Sequence, residues 1–69
     1  MKLSARNILA GTVKSVTPGA VDSEVTLELS PGVEVVSIIT RASAERLGLK
    51  PGVKAYAIIK APNVMIGVD

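Results

Sequence analysis

The stretch Val33-Glu34-Val35-Val36-Ser37-Ile38-Ile39-Thr40-Arg41-Ala42-Ser43-Ala44-Glu45-Arg46-Leu47-Gly48-Leu49-Lys50-Pro51-Gly52-Val53 decides the fold. Val33 to Thr40 opens with alternation and becomes apolar on both faces at Val36, Ile38 and Ile39, which predicts a strand that must be covered on both sides. Thr40 is an N-cap residue, and Ala42, Ala44, Glu45, Arg46 and Leu47 favour helix. Gly48 followed by Leu49 predicts a Schellman stop, with Arg46 at the negative end of the dipole. So short a helix holds only by packing, here expected through Leu47 and Leu49. Pro51-Gly52 then turns the chain into another strand.

Working outward, Pro18-Gly19 and Pro31-Gly32 repeat the Pro-Gly signature of a type II turn, and Ala61-Pro62-Asn63 is a further breaker. Between them lie strands at about Asn7–Val16, Val21–Leu29 and Val53–Lys60, with a fifth expected at Val64–Val68. Val25, Leu27 and Leu29 alternate with Glu24, Thr26 and Glu28, a strand with one buried face. Ala10 and Gly11 suggest a bulge or a close backbone approach. The order β-β-β-α-β-β predicts an all-β chain: an OB-like five-stranded barrel with one short helix between strands 3 and 4.

The chain has 69 residues, 48% of them hydrophobic, with no cysteine and no histidine. That describes a single domain, 1–69, with no disulfide, no thiolate or imidazole metal site, and neither of the commonest nucleophile and base side chains. At this size stability is marginal, and oligomerisation is the remaining support, as the two-sided third strand also suggests. Asp22, Glu24, Glu28, Glu34, Glu45 and Asp69 form no acid–base pair, and a Ser-Lys dyad from Ser4 or Ser43 with Lys60 is not selected by spacing, so no enzyme is expected. No signal peptide and no bilayer-spanning run is seen, so the expected location is the cytoplasm, without membrane association.

Donors for an anion are easier to find. Ser4, Arg6 and Asn7 precede strand one, Thr40 and Ser43 flank the helix start, where N–H groups favour negative charge, and Lys60 ends strand four. No carboxylate stands among them in the sequence. Each also has a plain structural reading: strand entry for Ser4, capping for Thr40, a solvated strand end for Lys60. A nucleic-acid-binding OB domain is the first alternative. It would need aromatic stacking, and Tyr56 is the only aromatic, with net charge just +2. A purely structural oligomerisation module is the second.

Ser4-Ala5-Arg6-Asn7, Leu9, Gly11-Thr12-Val13, Glu24-Val25, Leu27-Glu28, Ser37-Ile38-Ile39-Thr40, Ser43, Glu45-Arg46-Leu47-Gly48-Leu49, Pro51-Gly52, Ile59-Lys60-Ala61-Pro62 and Val64-Met65-Ile66 together resemble the molbindin (Mop) domain family. The resemblance covers essentially the whole chain. It implies an OB-like barrel binding molybdate or tungstate, with no other cofactor, as a free-standing storage or buffering protein. It also implies a homohexamer, a trimer of dimers, with oxyanion sites between subunits. By position, Ser4, Arg6 and Lys60 would come from one subunit and Thr40 and Ser43 from its neighbour, with Ala5 and Ala61 supplying backbone N–H groups. The loop Gly19-Ala20-Val21 would present further amides and, with Asn7, serve a second kind of site. For Arg6 two arrangements stay open: its side chain on the ligand, or only its backbone there, with the side chain paired to Glu45 or Asp69. Some relatives carry a hydroxyl after the lysine, where this chain has Ala61 and Pro62.

Overall fold

A computed structural model describes all residues from Met1 to Asp69. Four antiparallel strands form one sheet in the order β3-β2-β1-β4. They are β1 (Asn7–Pro18), β2 (Asp22–Ser30), β3 (Val33–Thr40) and β4 (Lys54–Ile59). Helix α1 (Arg41–Arg46) lies between β3 and β4, and a single 3-10 turn, Ala61–Asn63, follows β4. The all-β class and the helix position are those expected from the sequence. The fifth strand is not formed within the chain: Val64–Val68 has no sheet partner. The sheet has four strands rather than five because this segment leaves its own chain's sheet after the turn at Ala61–Asn63, which closes with Asn63 N–H donating to Lys60 O at 2.9 Å.

The central strand makes the sheet curl. From Asn7 to Thr12, β1 pairs with β4, and from Thr12 to Pro18 it pairs with β2. The register slips between Val13 and Ser15, so Lys14 is the extra residue of a bulge. A bulge bends and twists its strand, which lets one long strand serve two neighbours on different slopes. Val13 sits at this hinge, 2% exposed. Its N–H donates to Val53 O and its carbonyl accepts from Gly52 N–H, both at 2.9 Å.

Of the two readings of Ala10-Gly11, the close approach is the one found there. A Cβ at Gly11 would stand 2.8 Å from Glu28 O and 3.0 Å from Leu29 Cδ2. We expect Gly11→Ala to destabilise the fold by about 1–3 kcal/mol, as overpacking does, read as a lower urea midpoint with unchanged slope. The turn glycines divide. Gly32 (φ 79) and Gly52 (φ 94) take the positive φ that type II turns demand. Gly19 does not, so Pro18-Gly19 is not such a turn. Its glycine is needed for space instead, since a Cβ there would lie 2.6 Å from Asp22 O.

Helix α1 begins and ends on the expected signals. Ser43 N–H donates to Thr40 Oγ1 at 3.1 Å, the N-cap bond. At the other end Gly48 (φ 66) donates to Glu45 O at 3.0 Å and Leu49 N–H donates to Ala44 O at 3.1 Å. These are the two bonds of a Schellman motif. Packing differs in one respect. Ala44 is the buried helix residue and Leu49 packs on the core, whereas Leu47 is 57% exposed.

The core is thin: Val13, Val25 and Leu27, with Val16, Leu29, Ile39, Leu49, Val53, Ala55 and Ala57 packed around them. They come from the inward faces of all four strands, with Leu49 and Val53 added from the segment between α1 and β4. On the outer faces Val36, Ile38, Tyr56 and Ile58 remain exposed. One ion pair bridges strands outside the core: Lys14 Nζ donates to Glu34 Oε2. That hydrogen bond, reinforced by the Glu34 charge, raises the Lys14 ammonium above its ordinary value of 10.5. A raised lysine stabilises the fold below its unfolded value, and this contribution is lost as pH climbs through the folded one. Lys14→Met is therefore expected to lower the thermal midpoint slightly at pH 7, as loss of an exposed ion pair does, and this deficit should close as the pH climbs above 10.5.

Candidate functional site

The sheet gathers the candidate residues into two groups. At one end Asn7 opens β1 opposite Ile59, the last residue of β4. The Asn7 side-chain amide donates to Ile59 O at 3.3 Å. This pairing brings the chain entering β1, Ser4-Ala5-Arg6, and the chain leaving β4, Lys60-Ala61, to the same end of the sheet, although more than fifty residues separate them in sequence. Lys60 is extended (φ −64, ψ 132) as it enters the 3-10 turn, and neither Lys60 nor Arg6 has a carboxylate partner. Ser4, Arg6, Lys60 and Ala61 are exposed, and Ala5 and Asn7 are half-buried. Asn7 thus spends one donor on holding the strands together. Arg6 does not pair with Glu45, whose carboxylate accepts instead from Arg41 Nε at 3.1 Å. It does not pair with Asp69 either. The nearer partner wins because Arg41 and Glu45 are one helical turn apart.

At the other end lie Gly19, Ala20 and Val21 with Thr40 and Ser43. Arg41 N–H donates to Val21 O at 2.8 Å, tying the loop to the helix start. Gly19 N–H turns inward to Asp22 O at 2.7 Å, so this amide is not offered outward as expected. The Thr40 hydroxyl donates to Ser43 Oγ at 2.8 Å while it accepts from Ser43 N–H. Its one hydrogen is therefore spent on Ser43 Oγ, and the Ser43 hydroxyl keeps a hydrogen to give. Two first-turn amides, those of Arg41 and Ser43, are already engaged. The absence of carboxylates does not hold here, because Asp22 pairs with Thr40 across β2 and β3. The signal was available: both residues stand nine positions from Pro31, the hinge of that hairpin.

The two groups sit at opposite ends of β1, whose 12 residues span about 36 Å of extended chain. Within one chain they do not converge. The Lys60 end holds two cations, a hydroxyl and backbone donors, which suits an anion whose oxygens only accept. No group of three or more His, Cys, Asp or Glu residues is placed to hold a metal cation. No helix is long and apolar enough to cross a membrane.

The curled sheet, its capping helix and its polar ends define a small OB-like β-domain, one whose hydrogen-bonding chemistry lies at the ends of the strands rather than along them. The TOBE domain family matches residues 3–66, and the chain belongs to that family. It is 48% identical over 66 residues to molybdenum-pterin-binding protein 3 of Clostridium pasteurianum, an alignment covering 96% of this chain and 97% of that one. It is 44% identical over its full length to a probable molybdenum-pterin-binding protein of Haemophilus influenzae, also along that protein's full length. Other relatives are longer: the chain spans 25% of MopA of Rhodobacter capsulatus, with 48% identity. Among solved structures, MopII of Clostridium pasteurianum superposes with a TM-score of 0.90 at 42% identity, covering 97% of this chain and 100% of that one. The cytoplasmic molybdate-binding protein ModG, in a form with molybdate bound, superposes with a TM-score of 0.94 at 55% identity. That match covers all of this chain and 49% of ModG.

Proposed function

We propose that this chain binds molybdate or tungstate as intact oxyanions, without catalysis and without a further cofactor. Residues 1–69 would act as one Mop-type domain in the cytoplasm, storing or buffering molybdenum. The observation that carries the proposal is the donor cluster of Ser4, Ala5 and Arg6 beside Lys60 and Ala61, free of any paired carboxylate, in a chain whose relatives include a molybdate-bound protein. Molybdate is a tetrahedral dianion whose four oxygens accept hydrogen bonds and donate none. Phosphate near neutral pH carries a proton, and in a donor-only site that proton would be left without an acceptor, at about 1–3 kcal/mol. Sulfate lacks the proton and is refused only on size, its bonds being shorter than those of molybdate. Tungstate matches molybdate in size and charge and is expected to compete with it.

The sites lie between copies in this reading. Ser4, Arg6 and Lys60 of one subunit face Thr40 and Ser43 of the next, with backbone N–H groups from Ala5 and Ala61, while Asn7 and the loop Gly19-Ala20-Val21 serve a second kind of site, in a homohexamer built as a trimer of dimers. Their placement at opposite ends of β1 within one chain supports it, as does the exposed apolar face of β3 at Val36 and Ile38. A ligand bound between copies stabilises the assembly by mass action. Calorimetric titration with molybdate, repeated in excess sulfate with the assembly mass measured alongside, tests the proposal. Binding that survives sulfate, at about one ion or more per chain, is the expected result. No heat on a stable oligomer would leave the structural module as the better account, and salt-sensitive binding of single-stranded DNA would favour the nucleic-acid reading.

A further inference from the structure

Lys60 begins where the sheet ends. The pair Asn7–Ile59 is the last rung between β1 and β4, and no rung between Arg6 and Lys60 follows it. Ladder ends fray, because their backbone groups have neighbours on one side only. Here the last rung carries an extra bond. The Asn7 carboxamide donates from Nδ2 to Ile59 O at 3.3 Å, in a half-buried position. That carbonyl belongs to the peptide unit that joins Ile59 to Lys60. The unit is planar and trans, so a bond that holds Ile59 O also fixes the N–H and Cα of Lys60. On the other side, the Lys60 carbonyl accepts from Asn63 N–H at 2.9 Å, in the 3-10 turn that holds Pro62. Lys60 is clamped between two held peptide planes, with φ −64 and ψ 132, and the direction of its Cα–Cβ bond is set with them. Its ammonium has no ion-pair partner, so the backbone alone decides where the side chain starts.

We infer that Asn7 is a positioning residue: its carboxamide clamps the Ile59–Lys60 peptide and thereby aims the Lys60 ammonium at the bound anion. This rests on the reading of Lys60 as an anion donor. A lysine carries much rotamer freedom, and a site that had to order the backbone as well would bind more weakly. Holding the backbone beforehand removes that part of the cost. The residue type matters. An aspartate of the same shape has no hydrogen to give to Ile59 O and would set two acceptors against each other. The bond uses one of the two amide hydrogens of Asn7, which leaves the other for a contact of its own.

A double-mutant cycle, with molybdate binding to the assembled protein read by titration calorimetry, tests the inference. Asn7→Ala is expected to weaken binding about 3- to 10-fold, as loss of one hydrogen bond does. In the Lys60→Ala background the same change is expected to cost less than about twofold, since no ammonium is left to aim. Equal losses in both backgrounds would make Asn7 a separate contact or a general support of the fold and overturn the inference, as would no loss in the first. Asn7→Val, which places a strand-favouring residue at the start of β1, repeats the cycle if the alanine variant does not fold. A second measurement needs no anion. NMR relaxation on the free protein is expected to give the Lys60 amide an order parameter of about 0.85, falling below about 0.6 in Asn7→Val, with Ala57 in the middle of β4 unchanged. A Lys60 amide that stays rigid in the variant overturns the inference. An unsubstituted protein that takes up no molybdate would fail the functional proposal by itself, and the relaxation result would still decide whether Asn7 holds Lys60.

Discussion

Replacing Lys60 by alanine is expected to weaken molybdate binding about 10- to 100-fold, the equivalent of the roughly 1.5–3 kcal/mol carried by a hydrogen bond to a charged group, while the assembly mass stays the same. The ammonium stands at the end of β4 without a carboxylate partner. Nothing in the fold depends on its charge, and an anion beside it would meet an uncompensated donor. Titration calorimetry on the variant, with light scattering on the same sample, separates the two effects. Unchanged affinity would place the anion elsewhere and return Lys60 to its reading as a solvated strand end. Ser43→Ala should cost less, since a neutral hydroxyl contributes about 0.5–1.5 kcal/mol. The Ser43 hydroxyl, with its hydrogen uncommitted, is a better donor than that of Thr40, whose hydrogen goes to Ser43 Oγ.

Leu27→Ala carries the largest expected effect on stability. Leu27 is 4% exposed, stands between Val13 of β1 and Val35 of β3 in the ladder, and is one of three residues that form the buried cluster. Truncating a buried leucine costs about 2–5 kcal/mol, the spread reflecting how far the cavity collapses. Stability scales at roughly 0.05–0.15 kcal/mol per residue, so a chain this short holds only about 3–10 kcal/mol on its own. The variant should therefore unfold at low urea or fail to accumulate folded at all, followed by circular dichroism. Val33→Ala, at a half-exposed strand position, should shift the midpoint little. If the two variants behaved alike, the centre of the core would lie outside this cluster.

Much of the fold was legible because local chemistry decided it. Thr40, Gly48 and Leu49 place the two ends of α1 through hydrogen bonds within a few residues, and Gly32 and Gly52 place two turns through backbone sterics. The inward set Val25, Leu27 and Leu29 followed from period-two alternation, which needs no knowledge of the partner strand. Local rules failed where space, rather than φ or polarity, was limiting. Gly19 looked like a turn glycine and proved to be a steric one, and Gly11 marked a close approach while the bulge fell at Lys14. The fifth strand was a sound pattern without a partner, because alternation reports what a segment can pair with and not whether its own chain supplies the pairing.

The candidate site divides in the same way. By residue type alone Ser4, Arg6, Asn7, Thr40, Ser43 and Lys60 stood out as donors, and the resemblance to a known family added Ala5, Ala61 and the loop Gly19-Ala20-Val21. Which donors are still uncommitted was hidden, since that depends on contacts such as Thr40 with Ser43, Gly19 with Asp22 and Asn7 with Ile59. Hidden too was the nearness of Asp22 to Thr40, which pairing register brings about. From its sequence by itself this protein receives an all-β class, a capped helix after the third strand and a supply of anion donors, because capping, turn sterics and alternation act over a few residues. The tertiary structure alone decided that the chain before β1 and the chain after β4 come to one end of the sheet through the Asn7–Ile59 pair, that Thr40 lies at the other end of β1, and that an apolar slot between β3 and β4 stays open. These outcomes depend on where a bulge bends β1 and on which edges the curl brings face to face, and such long-range geometry leaves no periodic trace in the chain.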